Sequence, residues 1–228
     1  MKIKHFISSR KTTELWANEK SFMVLLVLLN IQIFIIIPYS VHWGIIGKFI
    51  LAIFYFVLLW SGLISVAKSR PNSVIIGFSI LMSALLCLVI FFHGNWVRIV
   101  SDSFFAVYFS ALAVIVLIRT FAQGPVTFYR IQGSIVVYLL ISLIFALLYD
   151  SIFLSESQTA FKGLQTYDRD EFMYFSLATL TTLGYGDITP VNIPARSLST
   201  LEGLIGQLYP AILIARLVSM ELMSAKKK

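Results

Sequence analysis

The chain has 228 residues, of which 58% are hydrophobic and only 13% are charged, and its formal net charge is +7. Soluble domains are about half apolar and about one quarter charged, so this composition excludes an ordinary soluble protein. The positive charge comes from basic residues beside apolar stretches, which gives no reason to expect a nucleic-acid partner. We therefore expect an integral membrane protein that is surrounded by membrane lipid.

Six apolar stretches are each close to the roughly 20 residues that a helix needs to cross a bilayer. They lie at residues 22–38, 45–67, 74–93, 103–119, 131–153 and 195–219. A polar, basic tail precedes them at residues 1–20, and a short basic tail follows them at residues 220–228. The pattern predicts an all-α integral membrane fold with six transmembrane helices.

The distribution of lysine and arginine predicts the orientation, because basic residues accumulate on the cytoplasmic side of a membrane. If both termini are cytoplasmic, thirteen of the 18 lysines and arginines lie inside and five lie outside. We therefore predict a multi-pass protein of the plasma membrane with both termini in the cytoplasm.

The external connection between the last two apolar stretches, residues 154–194, contains a half-apolar segment at residues 172–181. This segment is too short to span a membrane. Asp168, Asp170 and Glu171 precede it, and carboxylates are favourable at the N-terminus of a helix. We predict a short re-entrant pore helix at this place.

The next residues, 182–186, contain two glycines and show no helical period, so they predict an irregular loop at membrane depth. Irregular backbone is tolerated at that depth only where it is buried in protein or lines a water-filled path. Two glycines that flank a tyrosine allow backbone angles that let successive carbonyl groups point the same way. A row of such oxygens can replace the hydration shell of a cation, and several copies of the chain around an axis would complete the cage.

The T-x-x-T-x-G-Y-G signature of potassium channels is matched by Thr179-Leu180-Thr181-Thr182-Leu183-Gly184-Tyr185-Gly186. Residues 131–219 accordingly resemble the pore domain of that family, with an outer helix, a pore helix, a filter loop and an inner helix. The resemblance implies a homotetramer that conducts K+ passively, with no cofactor and no catalytic residue. It also implies that K+ binds the carbonyls of Thr182, Leu183, Gly184 and Tyr185 and the Thr182 hydroxyl, in a filter that Gly186 completes.

One position departs from the family pattern, since Leu183 stands where valine is usual. Its side chain is expected to point away from the ion, so the resemblance still implies potassium selectivity. The residues expected to support the filter are Thr179, Tyr174, Phe175, Asp187 and Glu202. For Glu202 we predict a hydrogen bond behind the filter that influences gating or pH sensitivity. The alternative is a structural hydrogen bond to the re-entrant helix without a regulatory effect.

The last apolar stretch carries features of a gating inner helix. Gly206 lies where the family places a hinge glycine, and Pro210, one turn later, removes a helical hydrogen bond. The alternative interpretation is that both are only small packing residues. Gln207, Ile214 and Val218 fall on one helical stripe, which we predict to line the inner cavity.

The first four stretches form a predicted membrane domain at residues 21–120, joined to the pore domain by a cytoplasmic linker at residues 121–130. Voltage sensing requires basic residues at every third position of the fourth helix, and in this chain Arg119 stands alone at its inner end. The sequence therefore predicts no voltage sensor, and it leaves open an unknown ligand of these four helices.

Two other transport functions are alternatives. A nonselective cation channel would need a relaxed filter, and the intact Gly184-Tyr185-Gly186 argues against one. A potassium uptake transporter subunit usually carries four pore repeats, whereas this chain shows one pore loop and no internal repeat. An enzyme is not expected, because it would need a Ser/His or paired-carboxylate constellation at membrane depth.

Overall fold

The computed structural model describes residues 22–67, 94–121, 127–156, 159–165 and 169–225, together with Gly77, Ile80 and Leu81. Apart from those three positions, the predicted third span at residues 74–93 lies outside the described residues, as does the predicted tail at residues 1–20. Part of the predicted linker, residues 122–126, also lies outside them.

Six helices account for most of the described chain. They are α1 (Phe22–Ser40), α2 (Gly44–Ala67), α3 (Asn95–Thr120), α4 (Phe128–Ser155), α5 (Arg169–Leu180) and α6 (Ile193–Ala225). The strands β1 (Phe161–Lys162) and β2 (Thr189–Pro190) form an antiparallel pair, with Phe161 opposite Pro190 and Lys162 opposite Thr189. The helical fold class is confirmed in these residues, and the small strand pair is an addition that the sequence did not predict.

Four of the described helices are long and apolar enough to cross a membrane: α1, α3, α4 and, over Ile193–Met220, α6. Within α2 there is a shorter apolar stretch, Phe49–Gly62. By the length and composition of its helices the chain is a membrane protein, as predicted. The count of six spans and the re-entrant placement of α5 stay predictions, since the third predicted span lies outside the described residues.

The start of α3 differs from the prediction, because the helix begins at Asn95 and not at residue 103. The additional turns carry Arg98 and Asp102. These residues are charged, so the hydropathy pattern places the start of the apolar span after them. In the structure Asp102 is fully buried, and both residues pair with opposite charges from elsewhere in the chain. The helix continues through them because these partners compensate the cost of burying a charge.

Of all helix pairs in the described chain, α3 and α4 have the most extensive contact. Gly133 of α4 allows their close approach, because an added Cβ would crowd the Thr120 hydroxyl of α3. The first two helices join the same apolar core, which includes Leu25, Leu29, Tyr55, Leu58, Phe109, Leu112, Val136 and Leu140. The N-terminal helices and the outer helix of the predicted pore domain therefore share one core within a single chain.

The short helix α5 packs against α4 and α6. Its first turn carries Asp170 and Glu171, which complement the positive end of the helix dipole. The start of α6 is capped by Asn192, whose Oδ1 accepts the Ala195 N–H at 3.0 Å. The loop between α5 and α6, which contains the predicted filter at residues 182–186, is therefore held by a helix end on each side.

Candidate functional site

The predicted filter begins as the C-terminal cap of α5. The Leu183 and Gly184 N–H groups both donate to the Ala178 carbonyl, at 2.9 and 3.1 Å, and the Thr182 N–H donates to the Thr179 carbonyl at 3.0 Å. Thr182 has φ 58°, a left-handed conformation that glycine usually adopts at the end of a helix. Because a residue with a Cβ pays about 1–2 kcal/mol there, the surrounding contacts hold Thr182 in a disfavoured conformation.

The filter backbone alternates in handedness. Thr182, Gly184 and Gly186 have φ of 58°, 57° and 80°. Leu183 and Tyr185, which lie between them, have φ outside the positive range. Such alternation turns successive peptide groups to the same side, so the carbonyl oxygens form a row opposite the N–H groups. The two glycine conformations agree with the predicted loop, whereas the left-handed Thr182 was not predicted.

The filter faces open space in a single chain. Residues 181–187 are all exposed, and 57% of Leu183 and 68% of Tyr185 is accessible. A Cβ added at Gly184 or Gly186 would have no neighbour within 4 Å. Because the N–H groups of Leu183 and Gly184 are turned back to α5, we expect the carbonyl groups of this segment to face the open side. Such a row offers oxygen ligands to a cation that has shed its water.

Tyr174 and Asp187 meet at the far end of the filter. The Tyr174 hydroxyl donates to Asp187 Oδ2 at 2.7 Å, and the Ile188 N–H donates to Oδ1 of the same carboxylate at 3.0 Å. The hydrogen bond from Tyr174 lowers the pKa of the Asp187 carboxyl below its usual range, and the same bond raises the pKa of Tyr174 to about 12. The Tyr174 ring also stacks on Tyr185, with centroids 6.4 Å apart and planes 8° apart. These contacts connect α5 to both the filter tyrosine and the residue after the filter.

Phe175, also predicted to support the filter, packs within its own chain against other aromatic rings, and its support of the filter stays a prediction. Among the ring contacts of the described residues, Phe175 is paired with Tyr149 at 5.0 Å and with Phe161 at 5.3 Å. Successive residues of a helix point in different directions, so Tyr174 and Phe175 cannot both face the filter of their own chain. Phe175 instead helps to pack α5 against α4.

The external connection after α4 also reaches the filter, through the β1–β2 pair. The Val191 N–H donates to the Ala160 carbonyl at 2.8 Å, next to the paired strands. Gly163 has φ 89°, and an added Cβ would overlap the Asp187 carbonyl. Sequence reasoning missed this contact, for which the only local signal is a single glycine in a loop.

Glu202 is fully buried behind the filter, on α6. Its Oε2 accepts a hydrogen bond from the Tyr149 hydroxyl of α4 at 2.6 Å, and its Oε1 accepts one from the Ser176 hydroxyl of α5. The Ser142 hydroxyl lies 2.9 Å from that of Ser176. Glu202 therefore connects the three helices of the predicted pore domain. Sequence reasoning found Glu202 and offered a hydrogen bond to the helix that carries Ser176, but it missed the partner Tyr149 on α4.

Gly206 lies where α6 crosses the end of α5. A Cβ added there would overlap the Leu180 carbonyl. The close approach of the α5 and α6 backbones therefore explains why this position is a glycine. The Tyr138 hydroxyl of α4 donates to the same carbonyl at 3.0 Å. The hinge function of Gly206 stays a prediction, and Pro210 lies inside an unbroken α6.

The predicted cavity stripe on α6 is open in a single chain. Gln207, Ile214 and Val218 are all exposed, although the chain buries most of α4. Whether they line a cavity depends on other copies of the chain and stays a prediction.

Residues 126–222 match a protein-family model described as ion channel. These residues are therefore similar to ion channels. The match runs from the segment before α4 through the predicted filter and most of α6. It confirms the family that the sequence signature indicated for the pore region, and the N-terminal helices lie outside it.

Two curated relatives are similar to a smaller part of the chain. Protein LctB of Geobacillus stearothermophilus is 41% identical over 49 residues, and Protein LctB of Bacillus caldotenax is 37% identical over 49 residues. Each match covers 22% of this chain and 36% of the relative, so the chain spans about a third of the length of these relatives. No solved structure matches the chain with significance.

Proposed function

We propose that the chain is a subunit of a potassium-selective channel, in which four copies surround one filter that K+ crosses passively. The observation that carries the proposal is the filter backbone, with its left-handed φ at Thr182, Gly184 and Gly186. The end of α5 takes up the first N–H groups of this segment, which leaves the carbonyl oxygens for an ion. The proposed K+ ligands are the carbonyls of Thr182, Leu183, Gly184 and Tyr185, with the Thr182 hydroxyl.

The proposal of a homotetramer rests on the open surfaces of one chain. A single chain contributes one row of oxygens, whereas replacing the hydration shell of an ion takes several rows around it. The large apolar residues that α6 leaves exposed include Leu201, Leu204, Leu208 and Ile212. Closed rotational symmetry would bury part of such a surface and bring the rows together on one axis.

Selectivity for K+ over Na+ requires that the filter oxygens keep their arrangement. Three sets of contacts support this arrangement in each chain: Tyr174 with Asp187, Glu202 with its two hydroxyl donors, and the close approach at Gly206. Leu183 contributes its carbonyl, so its departure from valine is compatible with selectivity. From the distribution of basic residues we also propose a plasma-membrane protein with both termini cytoplasmic and with weak voltage dependence.

Reversal potentials of the purified protein in planar bilayers test the proposal. Under a potassium gradient the current should reverse near the potassium equilibrium potential, and replacement of potassium by sodium on one side should shift the reversal strongly. Equal permeation of sodium would instead favour a nonselective cation channel. Absence of current across a range of voltages, pH values and lipids would contradict channel function.

Two glycine variants form a matched pair for the filter assignment. Gly184 has φ 57°, so Gly184→Ala strains the backbone although no atom lies within 4 Å of the added methyl group. Gly94 has φ −156°, which any residue adopts, and it lies at the start of α3. We expect Gly184→Ala to reduce potassium conductance by about tenfold or more, as a strain of about 1–2 kcal/mol implies, and Gly94→Ala to leave it unchanged. Equal conductance in the two variants would contradict the assignment of the filter.

A further inference from the structure

A buried ion network joins the N-terminal helices to the start of α5. The Arg169 guanidinium pairs with Asp102 of α3 through Nη2 and with Asp150 of α4 through Nε, the latter at 3.4 Å. Arg98 of α3 pairs with the same Asp150 oxygen at 2.8 Å. Arg169 also lies over the Tyr55 ring of α2, 5.9 Å from its centroid. Three helices from outside α5 therefore meet at its first residue.

The burial of this network makes each member depend on the others. Asp102 and Asp150 are fully buried, and the Arg169 side chain is 19% exposed. Exposed ion pairs contribute little to the stability of a protein, whereas a buried charge that loses its partner is strongly unfavourable. The planar guanidinium can pair with two carboxylates at once, which a lysine cannot do in the same way. Arg169 is therefore confined to one position between α3 and α4.

Apolar packing and the ion pairs hold this end of α5 together. Phe172, in the first turn, is fully buried against Phe153 of α4 and Phe161 of β1, with ring centroids 5.3 and 5.5 Å away. A small cavity adjoins Arg169 and is lined by Ile37, Tyr55, Leu143, Ala146, Leu147, Arg169 and Met173. The ion pairs of Arg169 therefore add to the apolar contacts that position the start of α5.

The position of α5 matters because the proposed filter follows the C-terminal end of this helix. The helix has 12 residues, and its Ala178 carbonyl accepts the N–H groups of Leu183 and Gly184. A short hydrogen-bonded helix moves as a rigid unit, so a shift at Arg169 would displace the beginning of the filter.

We infer that Arg169 is a positioning residue of the conduction pathway and that Asp102 acts through it, so that the N-terminal helices hold α5 and the filter in place. The inference rests on the proposed channel function. It gives the membrane region before the pore domain a function that its sequence does not indicate, as an anchor of the pore helix.

A double-mutant cycle with Asp102→Asn and Arg169→Gln tests this inference in the whole protein. One readout is the single-channel open time, and the other is the rate of amide hydrogen exchange in the second turn of α5, whose N–H groups donate to the carbonyls of the first turn. We expect each single variant to shorten the open time and to speed the exchange by about tenfold, the order of coupling between contacting residues. The double variant should be no worse than Arg169→Gln alone, because the two residues act as a unit.

Ser103→Ala is the matched control on α3. Ser103 neighbours Asp102 in sequence, but its hydroxyl is exposed and donates to the Ile99 carbonyl of its own helix at 2.8 Å. This variant should leave both readouts unchanged. Arg169→Lys keeps the charge but cannot pair with Asp102 and Asp150 in the same geometry. We expect its open time to lie between those of the wild type and Arg169→Gln.

The inference would be overturned by an unchanged open time in Asp102→Asn, or by additive effects in the double variant. Faster exchange without any change in conduction would also overturn it. So would a loss of channel number at a normal open time, since that result would indicate a role in folding alone. If the wild-type protein carries no current, the proposed function fails. The exchange rates then still decide whether Asp102 anchors α5.

Discussion

The two ends of α5 are held by different chemistry. At the C-terminal end, Gly206 lets the backbone of α6 lie against Leu180, and the neutral Tyr138 hydroxyl donates to the Leu180 carbonyl at 3.0 Å. At the N-terminal end, Arg169 is held by the buried carboxylates of Asp102 and Asp150. Close backbone contact tolerates almost no added atom, whereas a buried ion network tolerates shape changes but not the loss of a partner. The helix that precedes the proposed filter therefore has one contact site on α6 and a second that reaches the N-terminal helices.

The largest effect should come from Gly206→Ala, which breaks the contact at the C-terminal end of α5. The added methyl group would overlap the Leu180 carbonyl, and backbone cannot give way as a side chain can. We expect a destabilisation of at least about 1–3 kcal/mol, the usual cost of overpacking, and loss of current. Thermal unfolding of the oligomer and bilayer recording measure the two effects.

Gly203→Ala is the control for this variant, because Gly203 lies on the same helix and an added Cβ has no neighbour within 4 Å in the chain. It should be close to wild type in both measurements. If Gly206→Ala kept wild-type stability and changed open time alone, the close approach would not matter and the predicted hinge would be the better explanation.

The next largest effect should be at Glu202, which holds the middle of α5. Glu202→Ala leaves the buried Tyr149 hydroxyl without its acceptor, at a cost of about 1–3 kcal/mol for an unsatisfied group, whereas the Ser176 hydroxyl can still donate to the Ser142 carbonyl at 2.8 Å. Glu202→Gln retains an acceptor oxygen and should destabilise the protein less. Thermal unfolding of the two variants compares them.

The same pair of variants separates structure from regulation at Glu202. If the Glu202 carboxyl regulates the channel, Glu202→Gln should change the open probability and its dependence on pH. An unchanged open probability at every pH would contradict regulation and leave the structural hydrogen bonds as the function of this residue.

The smallest effect should be at the exit of the filter, where Tyr174→Phe removes one hydrogen bond but keeps the ring stacked on Tyr185. This bond lowers the pKa of Asp187, so the contact is complete above the ordinary pKa of aspartate and is lost as pH falls through the lowered value. The variant should therefore lose current at a higher external pH than the wild type. An external pH titration of single-channel current measures the difference.

Tyr39→Phe is the control for this titration, since Tyr39 is an exposed tyrosine of α1. It should titrate as the wild type does. If Tyr174→Phe also did so, the hydrogen bond to Asp187 would have no part in keeping the filter conductive.

Features that depend on neighbouring residues were predictable from the sequence. The predicted short helix at residues 172–181 corresponds to α5, and the two filter glycines adopt the left-handed conformations that their position requires. The limits of α4 and α6 also differ from the predicted stretches by only a few residues. Each of these depends on apolar periodicity or on the backbone freedom of glycine, and both are visible locally.

Features that depend on distant partners were not predictable. The sequence showed Asp102 and Arg98 only as interruptions of an apolar stretch, and it showed Arg169 only as an external basic residue. Phe175 was predicted to support the filter from its position in the motif, which did not reveal its contact with Tyr149 of α4. In each case the partner lies on another helix, so no spacing along the chain reveals it.

Composition and the signature motif by themselves determined that this is a membrane protein with a region similar to ion channel pores, because apolar length and local backbone preference belong to consecutive residues. Only the tertiary structure decided what the N-terminal helices contact in that region. Asp102 and Arg169 are 67 positions apart in the chain. A buried charge is stable only beside its partner, and the fold alone brings the two together.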